Sequence, residues 1–576
     1  MTVQHFISLV PLVWLVFALV KLKWKAHWAI LSALAVAVVL ALSLWHFPAG
    51  QAVTSALEGA VSAIWPIFLI ILAAMLVYDL SVRTGGMDAI KNMLAGVSND
   101  KRILALIIIW GFGGFMEGMA GFGTAVAIPA AMMIALGVNP VVAAIAAMVS
   151  NALPTPFGAV GIPTTTLAQI TRMDLLRITF GSAFVMAPIT FLVPFIIVYI
   201  IGGGFKGLRG MWIPCLIASI SLLVPQLLMA ATVGPELAIT VPAVISMAAL
   251  IAYVRLRKPY VPAEYSLAAV PEVVAAPVSE ADTGLAQEFS LVPGEGSNVI
   301  GENGVIIATQ GDLSAAGESS AEADIAELEK PLMPIGLATL PFILVLVLLL
   351  LTSKVVAPIN SFLARFSHAF QISTAPGAAP INFAWLNTPG LWIFIAAIIT
   401  ALAQHITPKV FFNQFGITLR RMLPTLYAIM GVLALAKVMT YSGMIADMAD
   451  LFVTGTGRFY PFISPIIGAL GAFVTGSGTN TQVLMGPLQT EAAQSLNISP
   501  YWLGAANQMG AGLGKVLSPQ CIAVVIGATA MQGRESELLG RGLKWIGLML
   551  LLAILIIGFA SGIFMPIISR IHVPGA

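Results

Sequence analysis

Runs of about twenty apolar residues recur along almost the whole chain, each long enough to cross a bilayer as a helix. Of its 576 residues, 59% are hydrophobic and only 9% are charged. A soluble domain carries roughly a quarter charged residues, so no water-facing surface can be built here. Backbone in lipid must satisfy its own hydrogen bonds, which forces such runs to be helical. The expected fold is all-α, a polytopic membrane protein with about 12–14 transmembrane helices.

Spans are expected at 6–20, 27–46, 61–81, 177–201, 211–230 and 236–254, then at 333–352, 389–405, 421–440 and 543–568. Four further apolar segments, 103–135, 138–170, 459–487 and 500–531, are interrupted by glycine, proline and polar residues. The first run is followed, not preceded, by Lys21, Lys23 and Lys25, so it reads as a span rather than a cleaved signal. Those lysines set the following loop in the cytoplasm and the N-terminus outside. Arg83, Lys91, Lys101 and Arg102 mark the next cytoplasmic loop. The loops holding Lys206 with Arg209, and Arg534 to Lys544, fit neither side cleanly. These assignments suit a multi-pass protein of a bacterial cytoplasmic, or inner, membrane.

Residues 255–332 have a different character. Acidic residues from Glu264 to Glu329 face a single base, Lys330, among Ala, Gly, Ser, Val and Pro. This is the composition of a flexible acidic linker from 259 to 331, cytoplasmic because Arg255, Arg257 and Lys258 lead into it. It divides an N-terminal membrane half, 1–254, from a C-terminal one, 333–576.

The halves repeat each other. Pro66 and Pro424 lie 358 positions apart, as do Gly113-Gly114-Phe115-Met116 and Gly471-Ala472-Phe473-Val474. The repeat cores are about 61–170 and 421–531. Loop charges run the Pro66 span inward and the Pro424 span outward, so the repeats are expected to be inverted, with broken or re-entrant helices.

Two elements of each half interrupt the bilayer core. The first runs from Trp110 through Glu117 to Thr124, and its counterpart from Gly471 through Ser477, Thr479 and Asn480 to Gln482. Broken backbone at that depth must be buried in protein or line a wet cavity, and freed N–H groups there suit an anion. Close packing through Gly114 and Gly118 explains the glycines but not Glu117 or the polar cluster. The second element contains Asn151 and Thr155 in one half, and Asn507, Gln508 and Lys515 in the other.

Ionised groups at membrane depth are expensive and mark function by default. Lys437 and Lys515 are the candidate counter-ions for a substrate carboxylate. Thr124, Asn151, Ser477, Thr479, Asn480, Gln482 and Gln508 are the candidate hydrogen-bonding partners. Glu117 is the leading candidate for proton coupling, with Asp79, the repeat partner of Lys437, as a second. A permanent structural pair between Glu117 and one lysine is the alternative.

A net charge of +2 argues against nucleic acid, and Cys215, Cys521 and the six histidines have no metal-site spacing. There is no phosphate-binding GxxxxGK[ST] loop. Neither cofactor nor metal is expected. Besides the surrounding lipid, the expected partners are a small carboxylate and protons, with self-association into a homo-oligomer left open.

The stretches GFGGFMEGMAGFGTAVAIPAAMM (111–133), SNALPTPFGAVGIPTT (150–165), TGSGTNTQVL (475–484) and GAANQMGAGLGKVLSPQ (504–520) resemble the bacterial L-lactate permease family. The resemblance implies lactate uptake by proton symport, with glycolate as a second substrate. It also implies an ion-transporter-like fold with re-entrant hairpins that works as an elevator. The acidic linker matches no feature of that family. Sodium coupling, through oxygens at Ser150-Asn151 and Thr479-Asn480, is the rival within transport. An integral membrane enzyme and a passive channel are the rivals outside it. Scattered histidines and the lack of an acidic metal-binding cluster count against the enzyme.

Overall fold

Prolines and short polar residues punctuate the apolar runs and set where helices begin. Asn139 accepts from the N–H groups of Val141 and Val142 ahead of Pro140–Asn151, and Asp174 accepts from Arg177 N–H ahead of Leu175–Ile201. Side-chain oxygens of this kind satisfy N–H groups that a helix start otherwise leaves bare. The computed structural model describes residues 3–267 and 333–570, apart from 23, 122, 379, 530 and 532, together with 298–300 and 306–309. Most of the expected acidic linker therefore lies outside the described residues.

Ten helices among the described residues are long and apolar enough to cross a membrane, or up to twelve if each of two bent pairs is one span. The upper figure meets the lower end of the sequence expectation. Large apolar side chains such as Val39, Val53, Trp212, Ile213 and Val224 stand exposed on the outside of the bundle. A water-soluble protein does not tolerate so extensive an apolar face, whereas lipid solvates it.

The same order of elements occurs twice. A helix carrying an internal proline break or proline, Leu69–Arg83 after Pro66 or Pro408–Tyr441 with Pro424, ends at a left-handed glycine, Gly85 or Gly443. A short helix follows, Gly86–Ala95 or Met444–Thr456. Next comes a helical hairpin. The first hairpin is Lys101–Met119 with Thr124–Ala135, and the second is Tyr460–Thr475 with Gly478–Ser495. Each hairpin is followed by a bent pair: Pro140–Asn151 with Thr155–Thr171, turned by 66°, and Pro500–Val516 with Pro519–Thr529, turned by 43°.

Local breaks have local causes. Residues Leu106–Phe112 adopt the wider π-helical turn, and Ser150 Oγ donates to the Ile109 carbonyl at 3.0 Å. Such bulges leave carbonyls free for side-chain donors. In the second half, a Cβ on Gly510 or Gly514 would collide with the backbone of Pro465 or Ala469. Glycine there lets Pro500–Val516 touch Tyr460–Thr475 backbone to backbone.

Arg102 fixes the floor of the first hairpin. It pairs with Asp100 at 2.7 Å and donates to the carbonyls of Gly207 and Arg209 at 3.0 and 3.1 Å. The loop holding Lys206 and Arg209 thus shares a side with Arg102, which resolves its ambiguous charge pattern. The Tyr265 ring covers the Arg102 guanidinium at 3.8 Å, docking the first residues after Thr240–Arg257 to the same face.

Candidate functional site

Both hairpin tips and both bends meet around one cavity of about 490 Å³. Gly121 comes from the first tip and Thr475 to Asn480 from the second. The bends contribute Thr155, Gly158 and Ala159 from one half and Lys515 and Gln520 from the other. A third wall, Pro424, Thr425, Ala428 and Ile429, comes from Pro408–Tyr441. Lys25 and His27, at the start of Ala26–Ser43, also line the cavity.

The second tip is built for exposed polar groups. Gly476 turns the chain in the left-handed region at φ 64°, and a Cβ there would strike the Gln520 amide. Ser477 then caps Gly478–Ser495, accepting from Asn480 N–H at 3.2 Å. Ser477, Thr479 and Asn480 reach the cavity, and Asn480 Oδ1 has no partner among the described residues.

Opposite this tip lies a buried ion pair. Lys515 Nζ donates to Glu117 Oε1 at 2.6 Å, and Asn151 Nδ2 donates to Glu117 Oε2 at 3.0 Å. The side chains of Lys515 and Glu117 are only 9% and 2% exposed, yet both line the cavity. A Cβ on Gly158 would collide with the Glu117 carboxylate, so the glycine makes the space that the carboxylate occupies. With Lys515 cationic and Glu117 anionic, the pair is neutral as a unit, which is how charges survive at this depth.

The remaining candidates are placed elsewhere. Lys437 is paired with Glu58 at 2.6 Å and lines a separate cavity with Tyr441 and Arg172. Asp79 is held by Arg421 at 2.6 Å and by Thr418, away from the central cavity. Gln482 accepts from Asn507 at 2.8 Å and Gln508 from Thr164 at 2.8 Å, both fully buried in helix packing. Thr124 folds back onto the Gly121 carbonyl at 2.8 Å and so shapes the first tip. Asn151 faces Glu117 rather than the open cavity.

The L-lactate permease family model matches residues 4–274 and 314–565. The chain belongs to the L-lactate permease family. It is 34% identical over 507 residues to an L-lactate permease of Streptococcus iniae, covering 88% of this chain and 94% of that protein. It is 32% identical over 565 residues to an L-lactate permease of Bacillus subtilis, covering 96% and 94%. The glycolate permease GlcA of Escherichia coli is 31% identical over 547 residues, covering 92% and 91%. Among solved structures, the Alcanivorax borkumensis YdaH transporter has a TM-score of 0.30 and 13% identity, covering 73% of this chain and 84% of that one, too distant to inform the site. Family membership makes the chain a permease. The ten to twelve apolar helices are in keeping with a multi-pass protein of the bacterial inner membrane.

Several cavity residues lie outside the sequence candidates: Thr155, Gln520, Thr475, Thr425, Lys25 and His27. Thr155 and Gln520 sit in the motifs that carry the family resemblance, which was the available signal. Glu58, the partner of Lys437, is a lone carboxylate in the apolar stretch before 61. The helix begins at Ala49, which turns Glu58 from a loop residue into a buried one at 2% exposure.

Proposed function

We propose that this permease carries L-lactate, and glycolate or D-lactate beside it, together with a proton, into the cell across the cytoplasmic membrane. The observation that carries this reading is the Lys515–Glu117 ion pair on the wall of the cavity between the two hairpin tips. The named activities of the relatives supply the substrate class.

Charge conservation gives the coupling. In the empty site, Lys515 and Glu117 cancel. A substrate carboxylate drawn to the Lys515 ammonium competes with Glu117 for it and leaves one uncompensated negative charge. An unpaired buried charge is strongly unfavourable. A proton on Glu117 returns the site to neutrality with the anion bound. Both the empty and the doubly loaded sites are then neutral, and the anion-only site is penalised. Ser477 and Thr479 hydroxyls donate to the carboxylate, and the free Asn480 Oδ1 accepts from the 2-hydroxyl.

Two inverted repeats give this site its two access routes. The hairpins and bent helices carry it past Ala49–Arg83 and Pro408–Tyr441, whose residues Ile71, Pro424 and Thr425 border the cavity. Such an elevator needs no hydrolysed cofactor.

The test is uptake of labelled L-lactate into proteoliposomes under separately imposed proton and sodium gradients. A proton gradient alone should drive accumulation with no sodium present. Accumulation only under a sodium gradient would replace the proton by a metal cation. In that case the unpartnered carbonyl oxygens of Asn151 and Asn480 are the first candidates to hold it.

A further inference from the structure

A second cavity, of about 280 Å³, lies between the same two helices that wall the central one. Along Thr155–Thr171 the central cavity takes Gly158 and Pro163, and the second takes Ile170 with Arg172 just beyond the helix end. Along Pro408–Tyr441 the central cavity takes Pro424 to Ile429, and the second takes Lys437, Thr440 and Tyr441. At about 1.5 Å per residue, these steps put the cavities roughly 10–15 Å apart, in series.

Their order relative to the membrane follows from a third helix. Ala26–Ser43 runs parallel to Pro408–Tyr441, since Gly431 abuts Ile30 and Leu31 while Gly443 abuts Trp45. Lys25, at the basic end of this helix, borders the central cavity. The second cavity is at the opposite end, which the distribution of loop charge assigns to the outside.

The charges around it do not cancel. Lys437 is balanced by Glu58 at 2.6 Å, whose Oε1 also accepts from Tyr441 OH at 3.0 Å. Arg172 donates from Nη2 to the Gly377 carbonyl at 2.6 Å and pairs with no carboxylate among the described residues. The nearest acid in sequence, Asp174, caps Leu175–Ile201 and does not line the cavity. Of the two cations lining the cavity, Arg172 is the one with no carboxylate in ion-pair contact among the described residues. A guanidinium with donors to spare suits a carboxylate, which it takes in a two-pronged fork.

We propose that this outer cavity is a second binding site for a small monocarboxylate anion, held by Arg172 with Thr440 and Tyr441 beside it. It is an outer station in line with the central site. The identity of the anion rests on the reading of the central site given above.

Equilibrium binding of labelled L-lactate to the purified protein in lipid nanodiscs tests this. The wild type should saturate at two equivalents, Arg172→Gln at one and Arg172→Gln/Lys515→Gln at none. The equivalent retained by Arg172→Gln reports that this variant is folded. Arg172→Lys should keep both equivalents, with the outer one weakened by tenfold or more. A single wild-type equivalent that Arg172→Gln leaves intact overturns the outer site and spares the central one. Two equivalents that both survive Arg172→Gln overturn it too. A wild type that binds lactate at neither site, but binds another small monocarboxylate at two equivalents with the same Arg172 dependence, overturns the lactate reading and supports the outer site.

Discussion

Asn151 Nδ2 donates to Glu117 Oε2 across 3.0 Å, linking the bend of the first half to the carboxylate of the first hairpin. A hydrogen bond to a charged group is worth about 1.5–3 kcal/mol, a factor of roughly ten to a hundred. Asn151→Leu removes the donor without adding charge. Lactate uptake by this variant should fall by about tenfold or more while the purified protein stays monodisperse. Wild-type uptake would show that the bond does not position the carboxylate.

Breaking the Lys515–Glu117 pair from one side leaves a lone buried charge. Lys515→Gln should therefore abolish lactate binding at the central site and lower stability by about 3–5 kcal/mol. The double variant Lys515→Gln/Glu117→Gln should regain much of that stability but not the central equivalent of lactate. Thermal unfolding in detergent measures the first effect and ligand titration the second. A double variant as unstable as Lys515→Gln would mean that the pair is not the source of the loss.

Glu117→Gln separates coupling from carriage. With a neutral amide fixed in place of the carboxyl, the site is neutral only when the anion is bound. Exchange of internal for external lactate should persist, and accumulation driven by a pH gradient should vanish. Full accumulation by this variant would remove Glu117 as the proton carrier.

Glu236 lies in the loop between Trp212–Thr232 and Thr240–Arg257, outside the spans. Burial pushes its carboxyl up to about 7, against the opposing pull of a backbone hydrogen bond and Lys354. The folded protein thus holds this proton more tightly than the unfolded chain does. Stability is whole below the ordinary carboxylate range and declines as pH rises toward and through about 7. The melting temperature of the wild type should fall between about pH 5 and pH 8, and Glu236→Gln should flatten that fall. Parallel curves for the two proteins would contradict the assignment.

The sequence made the helical membrane fold and the paired interruptions legible, because charge depletion and mid-span glycine clusters have few other causes. It also pointed to Glu117, Lys515, Ser477, Thr479 and Asn480, all of which line the cavity. It did not disclose which face each residue takes. Ala26–Ser43 or Ile335–Thr352 is apolar all round, so no polar stripe tells inside from outside. Gln482 and Gln508 lie one helical face away from the cavity and serve packing instead. Lys437 looked equivalent to Lys515 because both are single lysines in apolar helices. Only the approach of Ala49–Ser62 through Gly59, against the backbone of Leu433 and Ala434, brings Glu58 to Lys437.

Where Pro500–Val516 meets Tyr460–Thr475, Gly510 and Gly514 leave no thickness of side chain between the two backbones. A joint so tight has no slack for sliding by even a methyl group. Spin labels set on either side of that seam should report one fixed spacing under every substrate condition. Labels that bridge from it to Pro408–Tyr441 should instead register whatever stroke the transport cycle makes.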